Sequence, residues 1–173
     1  MFYQTTITLP TLRLKALLSL LIKVGTQAKE KGIDDATILD YRLIADMFPL
    51  VKQIQIATDN AKGMASRLAH REIPQYEDTE TTLAALQARL QKTIDYLATF
   101  TEDDFADAAT AEAHFPYFKD VHMVGADYVI GYGLPNFFFH VVTAYDILRQ
   151  HGFEVGKGDY MDGSLIPFVP NAV

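Results

Sequence analysis

One run constrains the fold of this chain more than any other. Leu50, Ile54, Ala57, Ala61, Met64 and Leu68 recur at alternating steps of four and three residues, and polar side chains fill most of the other positions. That spacing puts them all on one face of an α-helix and makes the face apolar along its length. Such a helix must bury its stripe against other elements. Pro49 suits the first turn, where a missing N–H does no harm, and Asp46 lies near enough in sequence to cap it. Arg67, His70 and Arg71 place cations at the far end, where the helix dipole favours them.

Three further runs carry the same period. A helix is expected from near Thr8, with Pro10 in its first turn, Leu14, Leu17, Leu18, Leu21, Val24 and Ala28 as its stripe, and Gly32 as its stop. Another opens in the acidic cluster Glu77-Asp78-Thr79-Glu80, with Thr79 as N-cap, and buries Leu83, Leu86, Leu90, Ile94 and Leu97. The last runs from Pro135 to about His151 and ends at Gly152. A short helix capped by Asp34 fits Asp34 to Tyr41, and Thr101 with Asp104 has the form of a capping box for one more turn.

Between about Ala111 and Gly133 the pattern changes. His114, Phe115, Tyr117, Phe118, Val121, Met123, Tyr128, Val129 and Ile130 suit strands, with Lys119-Asp120 as a turn, followed by an irregular passage through Gly125, Gly131 and Gly133. The tail from Glu154 to Val173 is expected to be irregular and packed through Phe153, Tyr160, Leu165 and Phe168, with Lys157 and Asp159 tying it down. The expected class is mainly α: a four-helix bundle with a small β-hairpin before the last long helix, forming one domain over 1–173. Up-down-up-down order is the simplest expectation, although the connections after the first and third long helices do not force it.

Composition narrows the function classes. With 173 residues, 49% apolar and 21% charged, the chain can bury an ordinary core without staples. It has no cysteine, which excludes disulfides, thiolate catalysis, iron–sulfur clusters and cysteine-based zinc sites. A net charge of −7 with no basic run argues against nucleic acid as a partner. Arg13, Lys15 and Lys23 break the apolar stretch around Leu14 to Val24, which therefore reads neither as a signal peptide nor as a membrane span. A soluble, cytoplasmic protein is expected.

Three stretches carry a resemblance. They are Asp46-Met47-Phe48-Pro49-Leu50 with Gln53, Gln55 and Asp59; Tyr76-Glu77-Asp78-Thr79-Glu80-Thr81-Thr82; and Leu134-Pro135-Asn136-Phe137-Phe138-Phe139-His140 with Thr143-Ala144-Tyr145, Leu148-Arg149, Gly152, Gly156-Lys157 and Asp159-Tyr160. Together they resemble the domain-of-unknown-function 1993 family, a branch of the DinB/YfiT-like helical bundles, over nearly the whole chain. The resemblance implies a four-helix bundle, often dimeric in related proteins, with no established activity for this branch. Metal-binding relatives in the wider superfamily use a histidine on the second helix and an H-x-x-x-H pair on the fourth, and some are metal-dependent thiol transferases. His140 matches one histidine of that pair. Its i+4 partner is Ala144, and the second helix offers Gln53, Gln55 and Asp59 but no histidine.

His140 is thus the central candidate, with three readings. In the favoured one it is a half-buried imidazole, hydrogen-bonded to Gln53 or Asp59. In the second, His140, Asn136, Gln53, Asp59, Tyr41, Tyr145 and Phe137 line an apolar pocket for a small molecule. In the third, His140 ligates a divalent metal with oxygen ligands such as Asp59, supporting thiol transfer or hydrolysis. A catalytic zinc site needs about three protein ligands, so the chain is read as a non-catalytic bundle with no resident cofactor.

Other features carry less. His114 and His122 flank the hairpin turn and are placed to face each other, but two imidazoles without a third ligand hold an ion only loosely. Gly156-Lys157-Gly158-Asp159 lacks the strand, helix and hydroxyl of a phosphate loop. The run Glu102, Asp103, Asp104, Asp107 reads as a solvated face. Phe115, Tyr117, Phe118 and Tyr128 either cover the bundle end or form a patch for a homodimer, and the two readings weigh equally.

Overall fold

A computed structural model describes residues 1–165, apart from the side chains at 118, 119 and 163. Helix α1 (Leu9–Lys31) grows out of a π-helical turn at Gln4–Thr8 and stops at Gly32, whose φ of 66° favours glycine. Helix α2 (Asp35–Asp40) is capped as expected, because Asp34 accepts a hydrogen bond from the Thr37 N–H at 2.8 Å. The remaining long helices are α3 (Leu50–Leu68), α4 (Leu83–Leu97) and α6 (Leu134–Gln150).

The seam that opened the sequence argument is the centre of the core: Leu50, Ile54, Ala57, Ala61 and Met64 are fully buried. Leu14, Leu21, Leu86, Leu90 and Phe137 meet it from the other long helices. Each large side chain so buried contributes roughly 1.5–3 kcal/mol. The order around the bundle differs from the simplest expectation. Helix α1 packs on α4 and α6, and α3 packs on the same two, so the consecutive long helices α1 and α3 lie across a diagonal. The connection over 32–49, which contains α2, is long enough to make that crossing.

Several local expectations are corrected. The N-cap of α4 is Thr82, which accepts from the Ala85 N–H at 3.1 Å; Thr79 lies in the preceding extended connection. No side chain caps α3. The Leu50 N–H donates to the Tyr41 carbonyl at 2.8 Å, and Asp46 is not involved.

The hairpin exists, formed by β1 (Glu112–Phe115) and β2 (Phe118–Val124). It is antiparallel, pairing Glu112 with Val124, Ala113 with Met123 and His114 with His122, after which the register slips. The turn falls at Pro116-Tyr117, while Asp120, at φ 65°, sits in the bulge.

The glycine-rich passage that followed was expected to be irregular, yet it is helical. Helix α5 (Gly125–Tyr128) and a π turn at Val129–Gly133 run straight into α6. Gly125 is there because a Cβ would strike the Ala108 carbonyl, and Gly133 because one would meet the Met64 sulfur at 2.8 Å. Glycine can mark close packing as well as a break.

The tail also contains a short helix, α7 (Lys157–Met161). Asp159 pairs with Lys23 at 2.8 Å, and the buried Arg13 donates to the carbonyls of Tyr160 and Met161. Phe168 lies outside the described residues. Phe115 and Tyr128 are buried against the bundle, whereas Tyr117 is exposed. Among the described residues, no helix is long and apolar enough to cross a membrane.

Candidate functional site

The first site to build lies between α3 and α6. Gln53 and His140 come from the apolar sides of their helices and are both buried. The Gln53 amide donates to the Phe48 carbonyl at 3.0 Å, which turns its carbonyl oxygen toward α6. That oxygen lies 2.7 Å from His140 Nδ1. Gln53 can only accept here, so Nδ1 carries the proton and Nε2 keeps its lone pair. Burial pushes the His140 pKa below its ordinary 6.5, and the ring is neutral at pH 7. Nε2 has no hydrogen-bond partner among the described residues, and the residue retains 8% exposure. The ring edge packs on Phe139, which is itself exposed.

The other residues singled out from the sequence lie as follows. Asn136, one turn before His140, donates to Asn60 at 2.9 Å, again across α3–α6. Asp59 lies about 120° around α3 from Gln53, because six residues make one and two-thirds turns. It faces α4, from which Arg89 reaches its Oδ1 at 2.9 Å, and Lys62 on α3 itself reaches the same oxygen at 2.9 Å. Tyr145 is five residues after His140, about 140° around α6. It lines a small cleft of about 160 Å³ with Val142, Asp146, Lys157 and Tyr160. Tyr41 stacks flat on His151, with ring centroids 3.8 Å apart. The structure therefore joins His140 with Gln53, sets Asn136 beside them on the same seam, and places Asp59, Tyr41 and Tyr145 in other surroundings.

One group of charged side chains was missed and a second was seen only in part. Arg89 sits in the stripe of α4 with its side chain only 2% exposed. It donates to Thr58 at 2.8 Å and pairs with Asp59 at 2.9 Å, Glu80 at 3.0 Å and Asp78 at 3.1 Å. Tyr76 lies against Arg89, Lys62 and Lys92, whose charged ends are 5.3, 4.7 and 4.1 Å from its ring centre. Burial raises the Tyr76 pKa, so the phenol stays protonated. A cleft of about 510 Å³ opens beside Arg89, Lys92, Tyr76 and Glu80. The sequence signal was a charge at a stripe position, which almost always means a buried pair. The second group is Glu112, His114 and His122, whose ligand atoms lie within 4.8 Å of one another. Glu112 was overlooked although residues i and i+2 of a strand share a face.

Architecture and site together define a class: a mainly helical DinB-type bundle with a two-stranded hairpin, carrying the imidazole of His140 on its last long helix. The crystal structure of a DinB family member from Shewanella denitrificans superposes with a TM-score of 0.92 at 38% identity, covering 98% of this chain and 95% of that one. The family model described as Domain of unknown function (DUF1993) matches residues 2–161, and the chain belongs to that family. A comparison with curated proteins gives no match.

Proposed function

We propose that the chain works as a non-catalytic binding bundle, a single cytoplasmic domain over 1–173 that pairs with a second copy. It takes a small molecule or a protein partner at the α3–α6 seam. The supporting observation is the state of His140. Its Nδ1–H is committed to Gln53, the next turn of α6 offers Ala144, and Asp59 is engaged by two cations on another face. What remains is one neutral nitrogen accepting a single hydrogen bond, with exposed Phe139 beside it and exposed Phe48 tied to it through Gln53. An apolar surface with one oriented acceptor suits a ligand or peptide group that brings one donor.

A second reading has its own support. Metal-ligating histidines donate their other N–H to an orienting partner, as His140 does to Gln53. A metal-dependent thiol transferase or hydrolase would then use His140 Nε2 as one ligand. Metal analysis of tag-free protein decides between the two. The binding reading expects the same ion content in wild type and His140→Ala. An ion lost with His140→Ala, together with activity that depends on Zn²⁺, Ni²⁺ or Mn²⁺, establishes the enzyme instead. Sedimentation velocity is expected to show twice the chain mass.

A further inference from the structure

We propose that the outer face of the β1–β2 hairpin is a binding site for one divalent transition ion of the zinc class, held by Glu112, His114 and His122. The strand period puts Glu112 and His114 on one face, and the register sets His122 directly opposite His114. All three side chains are exposed, His122 the least. His114 Nε2 lies 3.1 Å from one oxygen of the Glu112 carboxylate, and His122 Nε2 lies 3.9 Å from the other. The two imidazole rings are 5.4 Å apart. Zinc holds nitrogen and oxygen ligands at about 2.0–2.2 Å, which in a tetrahedron separates the ligand atoms by roughly 3.3 Å. The present spacings bracket that value, and small side-chain rotations bring the three atoms onto one ion.

The backbone beneath the ligands is fixed. Ala113 and Phe115 point inward and are buried. Arg67 on α3 donates to the His114 carbonyl at 3.0 Å and lies on the Phe115 ring at 4.5 Å. The Gly125 N–H donates to the Ala111 carbonyl at 2.8 Å and anchors the base of the ribbon. A cleft of about 490 Å³, lined by His70, Asp107 and Thr110, adjoins Glu112 and His114 and leaves room for water at the remaining coordination position. Two imidazoles with one carboxylate select zinc-class ions over calcium or magnesium, which prefer oxygen cages. The net charge of −7 does not oppose a cation.

The test is calorimetric titration of tag-free, chelator-stripped protein with ZnCl₂. One ion per chain is expected. His114→Ala and His122→Ala should each weaken binding by at least about tenfold, since even supporting residues of metal sites cost that much. Glu112→Gln should weaken it as well, and His140→Ala should leave it unchanged. Stoichiometric binding that survives the His114→Ala/His122→Ala double variant, or no binding by the wild-type chain, overturns the proposal. A second measurement needs no variant. Co²⁺ should broaden the ring signals of His114 and His122 in the NMR spectrum, and broadening of His140 or His151 alone also overturns it. Because the proposed function turns on His140→Ala and this site on His114 and His122, either can fail without the other.

Discussion

Toward α4, helix α3 presents charge; toward α6 it presents amides, one of which meets an imidazole. On the first side Asp59 meets both Lys62 and Arg89, and Arg89 also reaches Glu80 and Asp78 and lies against Tyr76. On the second, Gln53 meets His140, Asn60 meets Asn136, and Met64 closes on Gly133. Both sides pin the same helix, but they respond differently to loss of a partner. Removing Arg89 takes a shared partner from Asp59, Asp78 and Glu80 and a hydrogen bond from Thr58, leaving Lys62, Lys52 and Gln55 as their remaining contacts, whereas removing a neutral partner leaves one unsatisfied dipole. The charged side also fixes the connection over 69–82, because the partners of Arg89 include Glu80 and Asp78 from that stretch. The neutral side joins two helices and, through Gln53, holds only the Phe48 carbonyl just before α3.

The largest expected effect belongs to the charged side. Arg89→Ala should destabilise the fold by about 3 kcal/mol in urea denaturation, because it removes a buried guanidinium that joins three carboxylates and the Thr58 hydroxyl. Gln53→Leu should cost about 2 kcal/mol by leaving the His140 Nδ1–H unpaired. If it costs as much as Arg89→Ala, the contrast between the two sides fails. Asn136→Ala should cost about 1 kcal/mol, because water can reach the Asn60 partner it abandons.

The smallest effect is a pH slope. The folded His140 pKa lies below 6.5, so as the pH falls below 6.5 the unfolded chain takes up a proton that the folded chain refuses. The stability associated with His140 is therefore intact above pH 6.5 and declines as the pH drops toward the folded value. His140→Gln should flatten that part of the stability curve measured by thermal melting.

The long helices were legible because each carries a stripe at helical spacing, and burial of the α3 stripe follows it residue by residue. The hairpin was legible in its existence but not in its turn, since Pro116-Tyr117 and Lys119-Asp120 are both turn-like and only the pairing of Phe115 with Phe118 separates them. Gly125 and Gly133 misled, because a glycine that lets a neighbouring segment approach looks the same in sequence as one that breaks a helix. At the candidate site, the hydrogen bond from His140 to the second long helix was anticipated and is present, to Gln53. Arg89 and Glu112 escaped notice because their partners are distant in sequence or on the neighbouring strand.

The sequence alone determined that this chain builds four long amphipathic helices and a hairpin, because local periodicity and turn chemistry act within a few residues of themselves. It also determined that the last long helix carries one imidazole with no second on the following turn. Only the tertiary structure decided that α1 and α3 lie across a diagonal and that Arg89 draws in three carboxylates. It also decided that Gln53 sets the His140 tautomer and that Glu112 converges with His114 and His122. Those outcomes depend on which faces meet, and that is settled by packing between segments far apart in the chain.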